Sequence, residues 1–202
     1  MSVPETGLTT AERDRSGFRA VLEIRGARRL VASAVISRMP FGMLTLGTLL
    51  LVQQEYGSFA LAGLAVGSLA LGSGIAAPIQ GGLVDRHGAI RVLTPLAIGQ
   101  GVVTCGFAAG AALGAPAAAV VALALLVGTL TPPVSATLRM TWMNLTDGPV
   151  RDAAFALDAM TTQLLFALAP LLTAVSVQVV GTAPTVMLAG VISVVGTVVF
   201  AR

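Results

Sequence analysis

The stretch Gly81-Gly82-Leu83-Val84-Asp85-Arg86-His87-Gly88-Ala89-Ile90-Arg91 decides how this chain is read, because a short charged segment stands between two long apolar runs. No charged residue occurs between Tyr56 and Val84 upstream, or between Val92 and Leu138 downstream. A tight, arginine-bearing turn between two membrane-length segments predicts the cytoplasmic connection of a polytopic membrane protein.

Working outward, the rest of the chain has the same character. Hydrophobic residues make up 55% of the 202 positions and charged residues 10%, with a mean hydropathy of +0.90. A soluble domain carries about a quarter charged residues. The apolar excess predicts an all-α integral membrane protein in which several helices pack as one bundle, with the lipid bilayer as its first partner.

The net charge of +3 does not signal nucleic acid. All 12 basic residues are arginine, and Arg13, Arg15, Arg19, Arg25, Arg28 and Arg29 precede the first apolar run. Aromatic residues, at 4%, are too few to form stacking platforms for bases. The single cysteine, Cys105, lies inside an apolar run, so no disulfide framework is expected. Residues 1–29 hold no apolar core of signal-peptide length, which predicts an uncleaved, arginine-rich cytoplasmic tail.

About 20 apolar residues are needed to cross the hydrocarbon. Six such segments are predicted within a transmembrane domain at 30–202, over about 30–52, 58–80, 92–110, 117–138, 154–180 and 184–200. Arginines in short flanking loops mark the cytoplasmic side. The tail, the 81–91 segment, the 139–153 segment and the carboxyl end hold every arginine except Arg38, whereas the segments at 53–57, 111–116 and 181–184 hold none. Six spans with both termini cytoplasmic fit that distribution. The spans are rich in small residues; Gly63, Gly67, Gly72, Gly74, Gly106 and Gly110 read as close packing inside the bundle.

Two charges fall inside spans. Arg38 lies roughly 12 Å along the first helix at 1.5 Å per residue, where an arginine costs about 2.5–3.5 kcal/mol on insertion scales. Asp158 enters the fifth span from the same side. The expectation is that Arg38 pairs with Asp158, or that Arg38 faces a central cavity and meets an anionic group; snorkelling to the headgroups is the alternative. Pro40, Pro132, Pro133 and Pro170 are predicted helix kinks. Glu55 and Tyr56 would end the first span outside, and Trp142 would mark the cytoplasmic interface.

Catalysis lacks its groups. Gly72-Ser73-Gly74 offers a serine, but the one histidine, His87, lies in the charged segment, and no span carries a metal-binding cluster. No catalytic residue, metal site or cofactor is expected.

Gly81, Leu83, Asp85, Arg86 and Gly88 resemble the loop between helices two and three of the major facilitator superfamily: glycine, any, leucine, small or apolar, aspartate, arginine, any, glycine. Arg91 fills a following basic position, while Ala89 and Ile90 stand where the family usually has arginine or lysine. The resemblance implies a gating loop that latches the outward-facing state. It also implies a secondary transporter, of which six spans are the amino-terminal half, moving a small solute outward across the plasma or inner membrane by alternating access. Spans one and four would line the path. A second six-helix half or a homodimer would complete it, and a coupling proton would belong to such a cycle. The alternative is a truncated or non-transporting module. Ala167-Leu168-Ala169-Pro170 keeps the proline of the antiporter helix-five pattern without its glycines, and the fourth span lacks that group's arginine.

Overall fold

The computed structural model describes residues 21–24 and 26–202. The tail expected at 1–29 therefore falls mostly outside the described residues, including Arg13, Arg15, Arg19 and Arg25. From Ala27 onward the chain folds into seven helices: α1 Ala27–Tyr56, α2 Phe59–His87, α3 Ala89–Ala112, α4 Ala117–Thr129, α5 Val134–Leu145, α6 Gly148–Val180 and α7 Thr182–Ala201. No strand occurs among the described residues. With α4 and α5 taken together as Ala117–Leu145, six helical units are long and apolar enough to cross a membrane.

The helices run further than the apolar runs predict. The 81–91 segment is not an open loop: α2 continues to His87, α3 starts at Ala89, and only Gly88 separates them. Gly88 has φ 83° and its N–H donates to Val84 O at 2.8 Å, closing the last turn of α2 in a conformation that side chains disfavour. Gly81 is thus an ordinary helical residue with open space beside it, and Asp85 sits in the last turns of α2. In the same way α1 persists to Tyr56, and Gly57 with Ser58 makes the whole turn; the Ser58 hydroxyl accepts from Leu61 N–H at 3.2 Å. Charged residues near a span end are compatible with helix once they reach water, so the hydrocarbon length underestimates the helix.

The prolines divide into two kinds. Pro40 and Pro170 lie within uninterrupted helices, as do Pro78 and Pro95. The adjacent Pro132 and Pro133 do break theirs, between Thr129 and Val134. One proline removes one hydrogen bond, which a membrane helix tolerates; two in succession also push the preceding residues out of the helical region. The helical unit Ala117–Leu145 consequently consists of two half-helices.

Packing follows backbone proximity. The principal contacts are α1 on α7, α2 on α4 and α3 on α7. Gly72 and Gly128 lie at the α2–α4 crossing, where Gly128 rests on the Leu69 carbonyl and Gly72 on Leu125 and Thr129. At the α1–α7 crossing a Cβ on Gly196 would stand 2.7 Å from the Ser37 backbone. Gly63, Gly67, Gly74 and Gly106 border open space instead, so among the sequence's glycine pairs only Gly72 seats a neighbouring helix closely. One apolar core gathers Met43, Leu51, Phe107, Val120 and Val186. A second holds Leu93, Leu138, Trp142 and Phe200. Trp142 is 1% exposed and packs inside the bundle, which corrects its expected place at the interface: the inward face of α5 claims the indole.

Candidate functional site

Arg38 on α1 and Asp158 on α6 come together inside the bundle. Arg38 Nη1 lies 2.5 Å from Asp158 Oδ1, with side chains 9% and 5% exposed. Nη1 also donates to Thr162 Oγ1 at 3.3 Å, while the Thr162 hydroxyl donates to the Asp158 carbonyl at 2.8 Å. Arg139 approaches the second carboxylate oxygen, its Nε 3.7 Å from Oδ2, from a side chain that is 68% exposed. The guanidinium is therefore held within the bundle. Its Nε and Nη2 are buried and have no acceptor among the described residues. A charge taken out of water is stable only when paired and hydrogen-bonded, so a half-occupied guanidinium is a costly arrangement.

The backbone permits this meeting. Gly42 lies one turn beyond Arg38 on α1, and a Cβ there would come 2.5 Å from the Ala169 Cβ of α6. The missing side chain lets α6 lean onto α1.

Beside the pair lies a cavity of about 260 Å³. Arg38 and Gly42 from α1, Thr131 to Ser135 from the helix break, and Thr162, Phe166 and Ala169 from α6 form its wall. The break falls near the middle of the 29-residue span Ala117–Leu145. Irregular backbone at that depth is tolerated only where protein buries it or it lines a cavity. Its two ends are treated differently. The outgoing carbonyls of α4 are satisfied: Gln80 Nε2 donates to Thr129 O at 2.6 Å, and Thr131 Oγ1 donates to Val127 O at 3.1 Å. At the start of α5, Val134 N–H finds Pro132 O and Thr137 N–H finds Pro133 O, but Ser135 and Ala136 N–H have no acceptor among the described hydrogen bonds.

A polar relay anchors the break. Ser193 Oγ donates to Gln100 Oε1 at 2.6 Å, and Gln100 Nε2 donates to Thr131 Oγ1 at 2.9 Å, linking α7 and α3 to the break. Sequence reading passed over Gln80, Gln100, Thr131 and Ser193. The available signal was an uncharged glutamine in the middle of an apolar run, which needs a partner there as a charge does.

The 81–91 residues stand apart from this cavity. Asp85, Arg86, Gly88 and Arg91 are exposed, as is Leu83, and none of the three charges forms an ion pair among the described residues. His87 Nδ1 lies 3.2 Å from Leu83 O. Arg151, by contrast, is engaged: it donates to Thr146 O and Met143 O at the end of α5 and meets Asp147 Oδ1 at 2.6 Å. A cation on the last carbonyls of a helix satisfies them and opposes their negative dipole end. At the other membrane face Tyr56 Oη donates to Ala115 O at 2.5 Å, tying the end of α1 to the α3–α4 turn.

A family model for the Major Facilitator Superfamily matches residues 30–202. No curated protein and no solved structure matches the chain.

Proposed function

The chain belongs to the major facilitator superfamily, a family of multi-pass membrane transporters, and on that premise we propose that it moves a small solute by alternating access. The observation that carries this reading is the cavity of about 260 Å³ at mid-span, walled by α1, the broken fourth span and α6, with a buried ion pair at its edge. Discontinuous helices and intramembrane charges mark solute sites in transporters. The direction is outward and the membrane is the plasma or inner membrane, with both termini cytoplasmic. The arginine distribution supports that orientation. A second six-helix half, or a second copy, closes the open side of the cavity. The segment Gly81 to Arg91 acts as a latch, because its unpaired charges are free to meet that second half. Arg38 and Asp158 serve the solute path rather than catalysis.

Sided labelling tests this. In a Cys105→Ser background, Ser135→Cys places one thiol on the cavity wall, and Glu55→Cys places a control thiol at the expected outer end of α1. In proteoliposomes, a membrane-impermeant maleimide is expected to reach the cavity thiol from both sides and the control from one. Labelling of Ser135→Cys from a single side under every condition, with or without a coexpressed second half, would overturn the transport reading in favour of a non-transporting module.

A further inference from the structure

The cavity wall carries two sources of N–H donors that meet no acceptor among the described residues, and we propose that together they form a subsite for the carboxylate of the transported solute. This rests on the reading of the cavity as the solute site and names the class of solute. The first source is Arg38. Asp158 and Thr162 both engage Nη1, leaving Nε and Nη2 buried and without an acceptor. Those two nitrogens share one edge of the guanidinium, and their parallel N–H bonds match the two oxygens of a carboxylate. The second source is the amino terminus of α5, a helix of 12 residues whose Ser135 and Ala136 N–H groups lack acceptors. Helix dipoles favour an anion at this end, and half-helices in transporters present it to anionic groups.

Both features border one cavity, since Arg38, Pro133, Val134 and Ser135 all contribute to its wall. Compensation at the break is one-sided. The α4 carbonyls, which would repel an anion, are bonded by Gln80 and Thr131, while the Ser135 and Ala136 donors of α5 are left open. The remaining wall is largely apolar, with Met39, Leu165 and Phe166 prominent. The matching solute is therefore a small carboxylic acid with an apolar body, below the roughly 300–1,000 Å³ of drug-sized sites. The open edge is itself buried, so carboxylate binding requires the Arg38 side chain to turn about its outer torsions, with Asp158 competing with the solute for the same cation.

Equilibrium binding of radiolabelled benzoate to the purified full chain in neutral detergent tests this, with benzamide as the neutral isostere and inorganic phosphate as the alternative oxyanion. Benzoate is expected to bind saturably and benzamide at least about tenfold more weakly, the loss of one charge-assisted pair. Arg38→Gln is expected to weaken benzoate by about tenfold or more, and Arg38→Lys by less, because lysine keeps the charge and loses the fork. Ser135→Asp puts a fixed carboxylate at the first turn of α5, where it favours the helix. It is expected to fold as the parent does and to lose benzoate binding, so the test survives a failure of the Arg38 variants to fold. Asp158→Asn, which removes the competitor, is expected to tighten benzoate. Equal binding of benzoate and benzamide, full benzoate affinity in Ser135→Asp, or Arg38-dependent binding of phosphate without benzoate would each overturn the proposal. Because binding is read without translocation, two-sided labelling of Ser135→Cys alongside absent benzoate selectivity would sink the subsite and leave the transport reading intact. One-sided labelling with selective binding would do the reverse.

Discussion

The α1, α3 and α7 group and the α6 helix are held by different forces. In each of the former, 44% of the most apolar window is buried inside the protein; in α6 the figure is 11%. The first group packs by close backbone approach, as at Gly196 on Ser37 and Gly101 on Val194. By contrast α6 carries Met160, Leu164, Phe166, Leu171 and Val175 on exposed surface, and its main neighbour is α1. Apolar area does not attach a helix in lipid, because the tails are as apolar as the side chains; packing and polar contacts do. The Gly42–Ala169 approach and the Arg38–Asp158 pair join α6 to α1, its main neighbour. An ion pair that borders the cavity thus contributes to the attachment of α6.

The largest effect should come from dividing that pair. Asp158→Ala leaves the Arg38 charge buried and is expected to destabilise by about 3–5 kcal/mol, the usual cost of stranding one partner. Denaturant titration in detergent gives the magnitude, and hydrogen exchange should place the loosening in α6 while α7 amides stay protected. Uniform exchange across α6 and α7 would end the distinction drawn above. The double change Arg38→Met with Asp158→Leu should recover most of the loss, since apolar residues of similar volume replace buried pairs well.

Next in size is Gly196→Val, which drives a side chain into the Ser37 backbone. Overpacking of this kind costs about 1–3 kcal/mol, and here exchange should rise throughout α1 and α7 rather than in α6. Gly74→Val, facing open space, should leave the denaturation midpoint unchanged. A smaller effect is expected for Gln100→Leu, which removes the link between Ser193 and the helix break. Side-chain hydrogen bonds within membranes average about 0.6 kcal/mol. Its clearer signature should be faster exchange at Thr131 and Val134. The least effect belongs to Asp147→Asn, because its carboxylate, 96% exposed, lies where water already screens the Arg151 charge. Stability of that variant should match the parent.

Much of the site was legible as residue types and not as geometry. An arginine and an aspartate at similar depths in apolar runs invite pairing, because lipid offers neither of them another partner. That Nη1 alone would serve Asp158, leaving one edge of the guanidinium open, depends on side-chain torsions no pattern reveals. The double proline at 132–133 signalled a disturbance. That it would split a span into half-helices, one with satisfied carbonyls and one with open N–H groups, depended on Gln80 and Thr131 reaching the break from elsewhere. Trp142 was misplaced because an aromatic near a span end carries the same pattern whether it faces headgroups or the core.

The sequence alone determined a six-span all-helical membrane protein, since both conclusions depend on local quantities: the length of apolar runs and the backbone's need for internal hydrogen bonds in lipid. The family likeness was equally local, carried by six residues between Gly81 and Arg91. Tertiary structure alone decided which glycines seat a neighbour, that the charged segment is a single-residue turn, and that Arg38, the α5 amino terminus and α6 enclose one cavity. The cavity in particular depends on how helices distant in sequence lean against one another, as Arg38 and Asp158 do across 120 positions. Small residues and lipid-tolerant side chains permit many such arrangements, so the pattern along the chain cannot choose among them.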